Sequence, residues 1–443
     1  MKSKAGSFAK KHLGQEHDQS MADLPQDLAE EVLSRLPMTS LASVRSTCKA
    51  WNALSKDSSF TTKHFGRQAK LASAAKDDFM LVLMMDYEIY LVSVNLDENA
   101  DDVSWMRHEG TLVSQNCTDQ IDVCEVFHCY GLLLCISQDN ARLVVWNPYW
   151  GQSMWLEPAH SFERLECYIY DLGYDKSSNS HKILSFADYT ILHHTDSGFT
   201  DHDYQILDHT DYDFLTDHYQ FLDHSDYDAP PAAVTFAEYS IYDFNTHSWR
   251  VLDVTLDLIL DDDCRVSIGG NTYWFARSKA SGREEDCCLL CFDYTRETFG
   301  ARLPLPPLEW HDANTIALSS VGEEQLAILF QRWWDSSIKI WVTTKIEPDT
   351  VSWSSKVFLA VHVNITSFRF PFSRASFFVD EEKRVAVVFG KDDVEGLKDP
   401  SRNVAYIIGV DGSLEIIVPL GDSPHKYCFP RVCSYVPTLV QLN

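Results

Sequence analysis

What the chain lacks narrows its function before any motif is found. Across 443 residues no stretch reaches the apolar length of a membrane helix, and the run FMLVLMM at 79–85 is strand-sized. The opening MKSKAGSFAKKHLGQEHDQS is basic and polar, without the apolar middle and small-residue cleavage site of a secretory signal. A soluble protein of the cytoplasm and/or nucleus is therefore expected, with no membrane partner. Its twelve cysteines are expected as reduced thiols, and the acceptor-like triplets at Asn116 and Asn364 as unglycosylated. No Gly-x-Ser-x-Gly elbow, phosphate-binding Gly-rich loop or His-Glu-x-x-His helix is present. We accordingly assign no catalytic residue, no metal ligand and no cofactor, and expect a non-enzymatic protein.

Positive charge is scarce, and over one interval it is missing. Between Ile183 and Trp249 there is no Lys or Arg, while Asp and Glu total thirteen, nearly half of the formal net charge of −28. Nucleic-acid binding needs clustered Lys and Arg against phosphates, so no nucleic-acid partner is expected. An acidic field favours basic partners, although most acidic surfaces serve only solubility.

What is present begins with a helical pattern. In DLPQDLAEEVLSRLP (Asp23 to Pro37), Leu24, Leu28, Val32, Leu33 and Leu36 have the three-and-four spacing of one helix face. Pro25 suits the first turn, Asp27, Glu30 and Glu31 complement its N-terminal dipole, and Pro37 ends it. A second pattern follows in MTSLASVRSTCKAWNALSKD (Met38 to Asp57), with Leu41, Val44, Cys48, Trp51 and Leu54 on one face. A helical unit this small buries a marginal core and needs a partner or an attached domain.

The stretch LPQDLAEEVLSRLPMTSLASVRSTCKAWNALSKDSSFTTKHF resembles an F-box: an opening Leu-Pro, a second Leu-Pro after the first helix, then Leu-x-x-Val-Arg-x-x-Cys-Lys-x-Trp. The resemblance implies docking onto a Skp-type adaptor, which joins an F-box protein to a cullin-based ubiquitin ligase. Carried over by position, the adaptor-binding set is Leu24, Pro25, Leu28, Val32, Leu33, Leu36, Pro37, Leu41, Val44, Cys48 and Trp51, some of which must form the unit's own core. A plain helical hairpin explains the periodicity but not the two Leu-Pro pairs together with Cys-Lys-x-Trp.

Beyond AKLASAAKDD (69–78), read as a linker, helical periodicity gives way to short apolar or alternating runs between turn residues, the texture of an all-β domain. LVVWNPYWGQSMW, SIYDFNTHSW and LCFDYTRETF share one register: a strand ending in an aromatic, then Asn or Asp, a polar turn, and a large apolar residue. Each reads as a hairpin whose Asn or Asp favours the turn. With three further strand-turn-strand stretches they make about six units, the spacing of radially repeated blades. HKILSF, IYDFNTHSWRVLD, GGNTYWFA and CCLLCFDYTRETFGARLPLPP resemble the F-box-associated domain of plant F-box proteins, which is kelch-like. A double sandwich is the alternative.

Three features invite a chemical reading. Cys287, Cys288 and Cys291 are the closest cysteine group, but structural zinc needs four ligands and no second pair stands nearby. Trp150, Trp333 and Trp334 could grip a partner or pack between blades. From Ile191 to Asp228 there are ten Asp, six His and four Tyr, and DHTDYD (208–213) recurs as DHSDYD (223–228). The duplication accounts for that density without chemistry. It leaves three readings: a solvated loop inserted in one blade, with room for extra strands at Tyr204, Phe214 and Phe221; an acidic contact surface for a basic target; or a metal site.

The fold class expected is thus an α+β multidomain chain, a small N-terminal helical F-box followed by an all-β propeller. Its divisions are a tail (1–20), the F-box (21–66), a linker (67–78) and the β-domain (79–443) with an insertion at about 190–232. The function expected is that of a non-catalytic substrate-recognition subunit, with a Skp-type adaptor, through it a cullin, and an unknown protein substrate as partners. Its alternatives are a metal-binding or metal-dependent hydrolytic protein using the Asp/His tract, and an F-box module acting outside a ligase.

Overall fold

A computed structural model describes residues 25–36, 41, 44–45, 48–57, 59–64, 66–67, 78–96, 106–111, 122–138, 142–159, 168–193, 204–208, 232–279, 287–307, 314–332, 337–362, 376–393, 401–409, 414–425 and 428–442. The chain divides into two units, Met1–Ala74 and Ala75–Asn443.

In the first unit, α1 (Gln26–Leu33) starts behind Pro25, whose fixed φ and missing N–H cost nothing at a helix start. Asp27 stands in its first turn, and Arg35, beyond its end, reaches back to Glu31 at 2.8 Å. The helix α2 (Lys49–Ser55) is capped by Cys48, whose Sγ accepts from the Trp51 N–H at 3.4 Å. Ala29, Leu33, Leu41, Leu54 and Phe60 form the core, with Leu36, Val44 and Trp51 packed against it.

The second unit is a six-bladed β-propeller. Blade one holds β1 (Asp78–Met85), β2 (Glu88–Asn95) and β3 (Met106–Thr111); blade two holds β4 (Val123–Cys129), β5 (Leu132–Ser137), β6 (Leu143–Asn147) and β7 (Gln152–Leu156). Blade three contains β8 (Ile169–Asp175), β9 (Ser180–His193), β10 (Tyr204–Asp208), β11 (Ala232–Asp243) and β12 (Ser248–Leu252). Blade four contains β13 (Leu258–Ile268), β14 (Asn271–Ser278), β15 (Cys287–Asp293) and β16 (Thr298–Phe299). Blade five is β17 (Asn314–Val321), β18 (Gln325–Arg332), β19 (Ser337–Glu347) and β20 (Thr350–Trp353), with β21 (Leu359–His362) also on β19. Blade six is β22 (Ser376–Asp380), β23 (Val385–Asp393), β24 (Ser401–Gly409) and β25 (Leu414–Ser423). The last strand, β26 (Arg431–Ser434), returns to blade one and pairs antiparallel with β1, Leu81 opposite Ser434. Blade one is therefore built from both ends of the unit, which closes the ring and leaves no open sheet-to-sheet edge along it.

The apolar core lies between the blades. Leu132, Leu134 and Val145 of blade two meet Tyr170, Leu172 and Ile183 of blade three, and Leu184, Phe186 and Ile241 on the other face of blade three meet Trp274 and Phe292 of blade four. This two-faced burial is why the strands read as near-continuous apolar runs. The same arrangement joins blades four and five, five and six, and six and one. A double sandwich is excluded by the six separate sheets and this pairwise packing.

The hairpins expected from the shared register are β6–β7, β11–β12 and β15–β16, the outer strands of three successive blades. Their polar residues act as anticipated: Asp243 Oδ1 accepts from the Asn245 N–H at 2.7 Å, and Asp293 Oδ1 accepts from the Thr295 and Arg296 N–H groups at 2.8 and 3.0 Å. These side-chain bonds add to the backbone turn bonds from the His247 N–H to the Asp243 carbonyl at 2.8 Å and from the Glu297 N–H to the Asp293 carbonyl at 2.6 Å, where His247 and Glu297 adopt positive φ of 51° and 55°.

Within the Asp/His tract, β9 and β11 run past the rest of blade three as one antiparallel ladder, with Ala232 opposite His193. β10 starts at Tyr204 and pairs with the same end of β9. HKILSF and AEYSIYD thus sit on neighbouring strands with the tract between them. The rest of the tract, with Phe214, Phe221 and both DH-DYD copies except Asp208, lies outside the described residues.

Candidate functional site

The adaptor-binding set divides once its burial is known. Leu33 and Leu41 are 1% and 0% exposed and belong to the core; Leu36, Val44 and Trp51 are half-buried against it; Cys48 caps α2. Pro25, Leu28 and Val32 face outward, Leu28 at 54% and Val32 at 45% exposure. Leu24 and Pro37 lie outside the described residues. Leu28 and Val32 are four apart, one turn above another on α1, so they form one apolar strip. Leaving two branched apolar side chains in water forgoes on the order of 1 kcal/mol each relative to burial.

Charge fixes the helix that carries this strip. Glu31 accepts from Arg35 at 2.8 Å and from Arg67 at 3.2 Å, and Lys63 bridges Glu30 and Glu31 at 3.0 and 3.4 Å. The guanidinium of Arg35, then that of Arg67, holds the Glu31 carboxyl down at about 2. Beneath, His64 Nε2 lies 2.9 Å from the Leu36 carbonyl and its ring stacks on Phe60; burial keeps this imidazole below its ordinary value. The periodicity of 23–57 gave no sign of Lys63, His64 or Arg67, although Phe60 and His64 are themselves four apart.

On the propeller, the first strand of blades two to six, with β26 in blade one, lines the axis. Four of these six strands meet in ion pairs. Arg265 of β13 bonds Glu125 of β4 at 2.5 Å and lies 3.2 Å from Asp171 of β8, with its guanidinium 4.5 Å over the Phe127 ring. Asp263 pairs with Arg431 of β26. The register of β13 slips here: Leu260 faces Ala276 and Arg265 faces Trp274, so Asp261 to Cys264 stand opposite Phe275 alone. Asp261 Oδ1 closes this bulge by accepting from the Asp263 and Cys264 N–H groups at 3.2 and 3.1 Å. The visible signal was DDD inside an otherwise mostly apolar strand; its partners, far away in sequence, gave none.

Cys288, Cys291 and Trp150 pack within the propeller. Cys288 and Cys291 face opposite sides of blade four in separate clusters, where burial pushes Cys288 up to about 11 and Cys291 further. Among the described residues no group of three or more His, Cys, Asp or Glu has a geometry that could hold a metal ion. Trp150 is buried and donates its indole N–H to the Leu439 carbonyl at 3.1 Å, so it packs and does not grip; Trp333 and Trp334 lie outside the described residues.

Comparison with known proteins matches both units. Residues 21–63 match the F-box domain, and residues 80–236 and 216–442 match the F-box associated beta propeller domain. One F-box chain of Arabidopsis thaliana is 47% identical, covering 95% of this chain and 99% of its own length. F-box protein At3g19470 is 46% identical over 96% of this chain and its entire length. F-box/kelch-repeat protein At3g16740 is 43% identical over 95% of this chain and 99% of its own, both from the same plant.

Proposed function

The chain belongs to the F-box proteins that carry an F-box associated beta propeller domain, and from that membership we propose that it is a substrate-recognition subunit of a Skp–cullin–F-box ubiquitin ligase. In this reading α1 docks onto a Skp-type adaptor through Pro25, Leu28 and Val32, and Leu24 and Pro37, outside the described residues, belong to the same adaptor-binding set. The adaptor links the chain to a cullin, and the propeller holds a protein substrate. The subunit supplies no catalytic group; it raises the local concentration of substrate beside the ubiquitin-conjugating enzyme. It acts in the cytoplasm and/or nucleus.

The observation that carries the proposal is the half-exposed Leu28 and Val32 strip on a helix whose opposite side is anchored by Leu33 and by the Glu30 and Glu31 ion pairs. A helix face made apolar and left in water fits a helical or grooved partner surface. Co-purification tests it: the full chain should form a one-to-one complex with a Skp-type adaptor, and a chain that elutes alone from size exclusion beside a folded adaptor contradicts it.

A further inference from the structure

We propose that the seat of residues 437–442 on blade two is a peptide-binding site held shut by this chain's own segment. Once that segment is drawn off, the seat takes a short uncharged peptide with Thr or Ser four residues before an aliphatic anchor, the pattern of Thr438 and Leu442. Its use in holding a substrate rests on the reading of the propeller as the substrate-holding unit; the peptide binding itself does not.

Ring closure ends at Tyr435, whose N–H donates to the Met80 carbonyl at 2.9 Å and whose buried ring meets that of His128 edge-on. Beyond it the chain forms neither helix nor strand, yet it stays on blade two as far as Leu442. Asn147 Nδ2 donates to the Val440 carbonyl at 2.5 Å and to the Thr438 carbonyl at 3.4 Å. Trp150 Nε1 donates to the Leu439 carbonyl at 3.1 Å, and the Leu442 N–H donates to Gln152 Oε1 at 3.0 Å. All four bonds reach main-chain atoms of the segment. Contacts of this kind give affinity without fixing sequence, so another peptide on the same path satisfies them equally.

Side-chain selection is confined to two places. Thr438 crosses Gly131, which has a φ of +82° and where an added Cβ would lie 2.4 Å from the Thr438 Cβ, so the pass favours a small residue. The Thr438 Oγ1 also accepts from the Val440 N–H at 3.4 Å, a hydroxyl turn that Ser or Thr can make. Four residues on, Leu442 packs against the apolar cluster of blades two and three. Between these points Leu439 and Val440 turn outward, 37% and 39% exposed, and contribute little to holding the segment. No residue from Val436 to Leu442 is charged.

The seat is disfavoured when empty. Asn147 and Trp150 are both buried, and on release of the segment the Asn147 amide and the Trp150 indole lose the carbonyls that pair them. A second peptide that presents the same carbonyls is therefore favoured over a bare seat. The chain's own segment has the advantage of its tether at Tyr435, which gives it an effective concentration on the order of millimolar. So seated, it closes Trp150 to a partner, and the contact is autoinhibitory: peptide in solution should bind only after the segment is removed or loosened.

The test uses purified protein with no adaptor present; α1 belongs to the other unit, so failure here and failure of the ligase reading are separable. A fluorescein-labelled Val-Pro-Thr-Leu-Val-Gln-Leu-Asn peptide would be titrated by polarisation against the full chain and against a chain truncated after Val436. Saturable binding to the truncated chain is expected, with binding to the full chain weaker by about tenfold or more. Peptide variants then read the mode of binding without touching the protein. Leu439→Ser with Val440→Ser in the peptide should shift affinity by less than about threefold. Leu442→Pro, which removes both the N–H that Gln152 accepts and the apolar anchor, should weaken it about tenfold or more. If the truncated chain does not fold, a full chain with a protease site inserted between Val436 and Pro437 and cut after folding takes its place, and labelled peptide should exchange into it. No saturable binding by the folded truncated or cut chain up to about 1 mM, equal affinity of full and truncated chains, or a Leu442→Pro peptide that binds like the parent overturns the proposal. A full-length dimer that dissolves on truncation also overturns it, since the seat then belongs to the segment of a second copy.

Discussion

Removing one buried ammonium should unfasten blade three from blade four. Lys182, near the start of β9, has a side chain 5% exposed and donates to Asp175 Oδ2 and Glu297 Oε1, each at 2.7 Å. Glu297 lies in the β15–β16 turn, so the lysine ties neighbouring blades. Substitution Lys182→Met keeps the length and apolar stem but strands two carboxylates. Breaking a buried pair this way costs about 3–5 kcal/mol; Glu297 keeps partial exposure and its pairing with Arg250, which puts the expected cost near the lower bound. For a unit as long as Ala75–Asn443 that is a fall of about 4 °C in melting temperature, read by scanning calorimetry. The pH dependence has a defined sign. Burial alone would raise Asp175 and Glu297, but Lys182 together with the Ser177 and Ser178 donors outweighs it at Asp175, and Arg250 with Lys182 outweighs it at Glu297, so both folded carboxyls sit below their unfolded values. Burial would lower Lys182, yet its two carboxylates raise it. The stabilisation is therefore present above the unfolded carboxyl range near pH 4 and is lost as pH falls through the folded values; at the alkaline end it is lost as pH rises through the raised lysine value. The gap between parent and variant should be widest from about pH 5 to 10, and adding Glu297→Gln to Lys182→Met should recover part of it. A variant melting within a degree of the parent at pH 7, or an equal gap at pH 3 and pH 7, would refute this reasoning.

Three other outcomes are expected. A Cβ at Gly173 would lie 2.1 Å from the fully buried Tyr294 ring, so Gly173→Ala should destabilise by about 1–3 kcal/mol or more, seen as a lower urea midpoint. Truncation after Val436 removes the bonds from Asn147 Nδ2 to the Val440 carbonyl (2.5 Å), from Trp150 Nε1 to the Leu439 carbonyl (3.1 Å) and from the Leu442 N–H to Gln152 (3.0 Å). It should speed amide exchange in β6 and β7 and cost about 3 kcal/mol at roughly 1 kcal/mol per bond; exchange confined to other blades would argue against a tail that clasps blade two. Replacing 194–231 by an Asn-Gly turn should leave adaptor binding unchanged, because α1 belongs to the other unit and a two-residue turn lets His193 and Ala232 stay opposite each other; stoichiometric zinc in the intact protein that disappears on this replacement would favour the metal reading instead.

The sequence made the outline readable where local chemistry repeats. Asn147, Asp243 and Asp293 mark turns because each accepts backbone N–H bonds within its own hairpin, and that requirement recurs in every such turn. The helix pattern of Leu28, Val32 and Leu33 was equally plain. Its stripe could not say that Leu33 is core while Leu28 and Val32 are exposed, because Leu41, Leu54 and Phe60 decide that and lie elsewhere in the chain. Trp150 looked like a candidate grip until its indole N–H met Leu439, a residue at the far end of the chain. The axial cluster was invisible for the same reason: Glu125, Asp171, Asp263 and Arg431 become neighbours only when the ring closes through β26. The Asp/His tract was not legible in the same way, since a duplicated run of metal-binding residue types is not by itself a geometry and most of it lies outside the described residues.

The central claim is docking through α1, and one measurement addresses it directly. Affinity of the full chain for a Skp-type adaptor should be compared between the parent and the double variant Leu28→Asp with Val32→Asp. Both side chains are about half exposed and touch little of the core, so the variant should keep its circular dichroism spectrum and melting temperature. Losing two apolar contacts and burying two carboxylates should weaken the complex by about 3 kcal/mol or more, roughly a hundredfold. An affinity within about twofold of the parent, in a chain shown to be folded, would contradict the account.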